Sequence, residues 1–542
     1  MKTTITKKLF ACLPVGMAFI LLMSGMFSVT YAQNICIKNQ QSFGGSGDDI
    51  PVSIIKITDG YVICGWTNSN DGDFNVPVNR HNDAFIAKFN NDNQLIWRHT
   101  YGGTKWEDFW SIKQTDDGGF IAGGSAASNN GDVSGLHGGL FDAWVVKFDA
   151  LGLIQWQHCY GGNGVDYANE INIVPSGYVI LGETNTNNNG DVPANHGGFD
   201  AWVFSISPNG TLINSFCYGG SGYETAYSYI QNSNGSFTFS GETQSNDGNV
   251  SGYHGATDKW LVNANTDNGN INWQKCLGGS GNDFGNGFVR TTDGNIVLNA
   301  GSSSDDGDVD GNGGLFVAWL VKVNPATGNI IWNKTYKKDN FNCGMFGVTG
   351  TSDGGVFATG IVTSEAFVES AYDAYVLKVN SAGTKQWEKI LGGSQSDMGG
   401  PHKYMGIQVG NQYIIPFVSA SSDVDVLNAH GGFDAWIVTL GTGGCNQRDA
   451  NETENNLSNE VVIFPNPVAN TTTIAFSFSQ SQKVSLKIFD VSGRLVTTLA
   501  DASFEEGDYE IIWNAGEVNA GIYFLRFETA SYSENQKLIV TK

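Results

Sequence analysis

One short pattern, Gly-Gly followed by small or polar residues and then an acid, recurs seven times along the chain at intervals of about 58 residues. It runs from Phe43 to Asp49, Tyr101 to Asp108, Tyr160 to Asp166, Tyr218 to Glu224, Leu277 to Asp283, degenerately from Tyr336 to Asn342, and from Leu391 to Asp397. Behind each marker come an apolar strand, a Thr-x-Asp-Gly-Gly type of turn, a second strand, a loop of Gly, Asp and Asn, an Asp-Ala-Trp strand, and a fourth strand that usually carries Trp. A fixed period of this size means stacked units, and four strands per unit predict one β-propeller blade each.

The Asp-Ala-Trp strand can be followed through all seven units, beginning at Asn82, Asp142, Asp200, Asp258, Val317, Asp373 and Asp434. The seventh unit stops there, and its fourth strand is predicted at the other end, where Asn34 to Phe43 precedes the first marker as LIWRHTY precedes the second. Completing the last blade this way removes the edges an open sheet would leave. The expected fold is therefore all-β: a seven-bladed β-propeller over residues 33–440, followed by a small immunoglobulin-like β-sandwich.

Composition agrees with that plan. The 71 glycines suit hairpins and bulges rather than helices. Net charge is −24, and because residues 1–32 hold three lysines and no acid, the chain without them carries −27. Such a charge argues against nucleic acid as a partner and could attract cations. Residues 1–32 read as a signal peptide: a basic start, an apolar stretch from Leu9 to Val29, and Thr30-Tyr31-Ala32 before Gln33. Cys159, Cys217 and Cys276 fall at one position of successive units, too far apart to bond, and are expected as small buried side chains. Cys36 and Cys445 flank the closure and could pin it with a disulfide.

The two tryptophan series, Trp144, Trp202, Trp260, Trp319 and Trp436 on the third strand and Trp97, Trp156, Trp273, Trp332 and Trp387 on the fourth, repeat and are expected as core. Trp66, Trp106 and Trp110 do not repeat, which makes Trp106 and Trp110 candidates for a ligand platform. Because strands alternate in direction, the long loops and the markers emerge on one face, which should carry a rim of Asp, Asn, Gly and histidines such as His137, His196, His254 and His430. Asp305, Asp306, Asp308 and Asp310 are calcium candidates, since clustered carboxylates on a Gly turn can supply hard oxygen ligands. Their spacing does not match an EF-hand loop, and Asx side chains that fold the loop are the competing account. His402 and Lys403 lie where the repeat departs from its pattern, a second candidate ligand patch. No catalytic group stands out, because the polar residues mostly follow the repeat.

The GGSG-D, T-D-G-G and Asp-Ala-Trp-Val-Val-Lys units resemble bacterial β-propeller repeats of large exported proteins, a likeness that implies fold but no ligand. After a polar linker at 441–460, alternating segments return in TTTIAFSF, KVSLKIF, GDYEIIW, GIYFLRF and KLIV. Phe464-Pro465-Asn466-Pro467, the turn to Gly493-Arg494, Gly521 in Ala-Gly-Ile-Tyr, and the basic Lys542 make residues 461–542 resemble a type A C-terminal sorting domain of the type IX secretion system. That resemblance implies the type IX translocon and its sorting peptidase as partners, removal of the tail, and either release or attachment to surface lipopolysaccharide. The expected protein is an exported, outer-membrane-surface or extracellular propeller that binds a glycan or protein ligand. A secreted polysaccharide-acting enzyme and a structural surface-layer protein are the alternatives.

Overall fold

The Thr-x-Asp-Gly turn shows how each hairpin is fixed. Thr115 Oγ1 and the Gly119 N–H both donate to Asp117 Oδ1, at 2.5 and 3.0 Å, while Gly118 takes φ 80°, where glycine is favoured. The lysine that ends the third strand reaches back to the same carboxylate: Lys147 Nζ lies 2.8 Å from Asp117. The same clamp joins Lys88 to Asp59, Lys322 to Asp293 and Lys378 to Asp353. Thus the lysine of Asp-Ala-Trp-Val-Val-Lys ties its strand to the preceding turn.

The computed structural model describes residues 5–7, 35–74, 81–309, 315–338, 341–363, 372–398, 406–427, 429–442 and most of 462–541. Two units separate, Tyr31–Gly443 and a second made of Met1–Thr30 with Gly444–Lys542. The protein is all-β, with repeated four-stranded sheets of propeller type. In the large unit, six antiparallel sheets each take four strands in chain order, the first being Asp49–Ile57, Gly60–Thr67, Asp83–Asn90 and Leu95–Tyr101. A seventh sheet is assembled from both ends of the repeat region: Ile35–Phe43 pairs with Asp434–Thr442, which pairs with Gln412–Ser419. Asp397–Met398 and Ile407–Val409 both pair with Gln412–Ser419, and residues 399–405 between them lie outside the described residues.

One backbone bond recurs wherever two sheets meet. The N–H at or next to the marker acid donates to the carbonyl that precedes the neighbouring third strand, as in Asp166 to Phe141 at 2.9 Å, Glu224 to Phe199 at 2.7 Å and Asp397 to Tyr372 at 2.7 Å. Asp49 donates to Phe433 in the same way, which joins the last sheet to the first.

The third-strand tryptophans are fully buried between sheets: Trp144 clusters with Cys64 and Ala84 of the preceding sheet and stacks on Phe109 at 5.1 Å. Burying about 200 Å² of ring gives each an upper bound of about 5 kcal/mol. On the outer strand, Trp97, Trp156, Trp273 and Trp332 are half-buried. Cys159 and Cys276 are buried free thiols, held near 12 by burial, and Cys217 is half-buried. Cys36 is disulfide-bonded, and Cys445, its expected partner, lies outside the described residues.

The second unit holds two four-stranded sheets on a shared core that includes Ile474, Phe476, Leu486, Ile511, Leu525 and Leu538. One sheet contains Val462–Phe464, Thr471–Phe478 and Gly507–Asn514, and its outer place beside Gly507–Asn514 is taken by Ile5–Lys7. The other runs in the order Leu495–Phe504, Gln482–Asp490, Gly521–Glu528, Ser533–Val540.

Candidate functional site

The first strand of six sheets slips register against the second, for example between Phe109 and Ser111, Ala168 and Glu170, Ala226 and Ser228, and Met345 and Gly347. A residue left out of the ladder is re-aimed by the bulge. Trp110, Asn169, Tyr227, Asn286 and Phe346, all at such slips, line one cavity of about 1100 Å³. The second strand passes close behind, so a Cβ on Gly182 would lie 1.8 Å from the Tyr167 carbonyl oxygen. This contact accounts for the glycine of the recurring Gly-x-Thr. The threonine is accounted for by the marker acid, which accepts bonds from the Thr184 and Thr186 hydroxyls and from the Gly162 N–H.

The residue between them varies, and in several sheets it lines the cavity. It is Ser125, Glu183 and Glu242 in three successive sheets, all in the wall. In the first and seventh sheets it is Trp66 and Val418, which form an apolar cluster with Ile50, Val52, Trp110, Met398 and Phe433. The cavity therefore has an apolar sector and a polar one. Ten of its lining residues are aromatic and three are acids, with no lysine, arginine or histidine among them.

In the polar sector the Tyr223 hydroxyl donates to Glu183 Oε2 at 2.7 Å, and Asn169 Nδ2 donates to Thr225 Oγ1 at 3.1 Å. Burial lifts Glu183 above the ordinary carboxylate range, against the pull of bonds from Thr225, Tyr223 and Asn169. Burial also lifts Glu242, which accepts the Gly285 N–H at 2.8 Å. Lys259, 1% exposed, donates to the Gly285 carbonyl and lies 5.9 Å from the Tyr227 ring. Its pKa is pushed down to about 8 by burial, which the charge of Glu242 partly offsets. Asp108 is raised to about 6 by burial, with Ser125 donating to it through N–H and hydroxyl at 2.7 and 2.8 Å.

Of the sequence candidates, Trp106 and Trp110 stand in the cavity wall, Trp106 being 50% exposed. His402, Lys403 and Asp310 lie outside the described residues. Asp306 and Asp308 hold the neighbouring marker: Asp306 Oδ1 accepts the Ser280 N–H at 2.7 Å, and Asp308 Oδ2 the Gly278 N–H at 3.3 Å. Asp305 sits beside them in the same loop. Among the described residues no group of three or more His, Cys, Asp or Glu side chains could hold a metal ion. The rim histidines bind the third-strand aspartate, as in His137 Nδ1 to Asp142 at 2.9 Å and His254 Nδ1 to Asp258 at 2.8 Å. In the second repeat Glu107, not Asp108, does the work of the marker acid, accepting the Gly103 N–H at 2.8 Å. The sequence reading passed over Glu183, Glu242, Tyr223 and Tyr227. The available signal was a residue that changes inside an otherwise fixed Gly-x-Thr.

In the second unit, Gly493 turns at φ 78° and Arg494 Nε meets Asp490 at 3.0 Å. Gly521 opens the strand Gly521–Glu528, Phe464 closes Val462–Phe464, and Pro465, Asn466, Pro467 and Lys542 lie outside the described residues. Residues 462–541 match the family described as the secretion system C-terminal sorting domain. The chain thus carries a type IX sorting domain, which directs export to the outer-membrane surface or the extracellular space. No curated protein sequence matches the chain. Similar solved structures include a 6-phosphogluconolactonase candidate from Bacteroides fragilis, at 12% identity and TM-score 0.38, covering 70% of this chain and 98% of that one. A puromycin hydrolase matches at 9% identity and TM-score 0.40, over 80% of this chain and 59% of its own. Apocarotenoid oxygenase from Synechocystis matches at 8% identity and TM-score 0.33, over 68% and 95%.

Proposed function

We propose that the protein is an exported, non-enzymatic binding module whose large unit takes a ligand into the central cavity. In this plan residues 1–32 are a cleaved signal peptide, 33–440 a closed seven-bladed propeller, 441–460 a linker where the tail is cut, and 461–542 the sorting domain. The sorting peptidase and translocon act on the tail, and the propeller is released or held on surface lipopolysaccharide. The observation that carries the binding reading is a partial break in repetition: scaffold residues repeat from sheet to sheet, whereas the wall changes along the sheets, with Ser125 in one, Glu183 and Glu242 in the next two, and Ile361 in another. A glycan suits the apolar sector, because sugar rings stack on Trp106 and Trp110 while carboxylates accept from hydroxyls.

Titration of the secreted protein with a glycan panel tests this reading, with binding expected to fall at least tenfold in Trp110→Ala. Saturable binding that is indifferent to Trp110→Ala and Glu242→Gln would remove the cavity from consideration. The buried Glu183, Glu242 and Tyr223 group favours one second reading, a polysaccharide-acting enzyme. Turnover of a polysaccharide that disappears in Glu183→Gln would establish it.

A further inference from the structure

Resting on the reading that the cavity is the ligand site, we infer that its polar sector receives a positively charged organic group, an alkylammonium ion or the protonated amine of a larger ligand. Three carboxylates, Asp108, Glu183 and Glu242, face a space whose lining contains no cationic side chain. The bonds given to Glu183 and Asp108 come from neutral donors, the Tyr223 hydroxyl and the Ser125 N–H and hydroxyl, which spread charge without cancelling it. Lys259 offsets part of the charge of Glu242, but it donates to the Gly285 carbonyl and lies over the Tyr227 ring instead of lining the cavity.

Ligand class follows by comparing what each would leave behind. An anion would meet three carboxylates across a low-dielectric space and be repelled. The hydroxyls of a neutral glycan satisfy acceptors but leave the carboxylate charge unmatched, so a cationic group on the ligand adds what a neutral one lacks. A bare metal ion needs a convergent ligand set, and no group of three or more His, Cys, Asp or Glu side chains able to hold one occurs among the described residues. An organic cation needs neither hard ligands at fixed distance nor full dehydration. It needs carboxylates nearby and ring faces, whose quadrupole attracts positive charge. Tyr167, Tyr223 and Tyr227 supply those rings beside the acids. The apolar sector at Trp110, Met398 and Phe433 takes the hydrocarbon remainder.

The test is calorimetric titration of the full secreted chain with choline and with its neutral carbon isostere, dimethylbutanol, which shares shape but not charge. Choline is expected to bind at least tenfold more tightly, Glu183→Gln and Glu242→Gln each to weaken choline about fivefold or more, and the isostere to be unaffected. Should either variant fail to fold, raising salt on the wild type serves instead: choline affinity should fall and isostere affinity hold. Equal affinity for the two probes, or no binding of choline, overturns the cationic inference. The cavity reading has its own arm, because a neutral ligand lost on Trp110→Ala would uphold it when choline fails.

Discussion

The backbone N–H of Asp49 donates to the carbonyl oxygen of Phe433 at 2.6 Å, so the sheet that opens the repeat region meets the sheet that ends it through the bond used at the other joints. The Ile35–Phe43 strand makes this possible by supplying the outer strand of the last sheet. Deleting residues 34–43 is expected to cost several ladder bonds at about 1 kcal/mol each and to lower the melting temperature by about 10 °C or more. Calorimetry that finds the truncated protein as stable as the parent would refute the closure.

Stability should fall as pH rises through about 6. Asp49, Asp108 and Asp373 are each raised to about 6, burial being the largest cause. A carboxyl with a higher pKa folded than unfolded binds its proton more tightly in the folded state. Its contribution is full below the ordinary value of 3.8 and lost as pH climbs through about 6. Asp117 works the other way, lowered to about 2 chiefly by its bond from Lys147, so its contribution disappears as pH falls towards 2. Thermal melts from about pH 3 to 9 should peak near pH 4 to 5; a melting temperature that climbs steadily from 5 to 8 contradicts this.

Asp200 and His196 offer a paired substitution. Asp200, 0% exposed, accepts the His196 N–H at 2.9 Å and Nδ1 at 2.6 Å through one oxygen, and the charge of Glu224 across the joint raises its pKa further after burial. Asp200→Ala strands buried donors and is expected to cost about 1–3 kcal/mol. Asp200→Asn keeps an acceptor and removes the repulsion, so denaturant melts should place it within about 1 kcal/mol of wild type. Equal losses in both would mean that the charge itself is required.

Removing residues 461–542 should leave the propeller folded and confined to the periplasm of a type IX host, as fractionation would show. Normal surface display of the truncated chain would refute the sorting role of this segment.

Repetition made the architecture legible. The four-strand period, the borrowed first strand and the tail segments TTTIAFSF and GIYFLRF all correspond to observed strands, because each rests on short-range pattern. The site was legible only in part. Trp106 and Trp110 stood out as breaks in the repeat, but Glu183 and Glu242 share a Gly-Glu-Thr sequence and so looked like repetition themselves. What places them at the site is the cavity they line together with residues re-aimed by bulges in the adjoining strands, which depends on pairing across the sheet. The partners of the acidic loops were hidden for a similar reason: Asp306 and Asp308 act on the marker before their own second strand, a partner distant in sequence. Pairing of Ile5–Lys7 with Gly507–Asn514 leaves no local trace at all.

The variable residue of Gly-x-Thr separates two kinds of selection. Its glycine and threonine neighbours hold sheet and joint together, whereas the side chain between them reaches the cavity in several sheets. Each sheet thus offers a position at which duplicated units can diverge without endangering the fold. A scaffold of this kind can explore new ligands one blade at a time, so related propellers should keep the frame and scatter in binding preference.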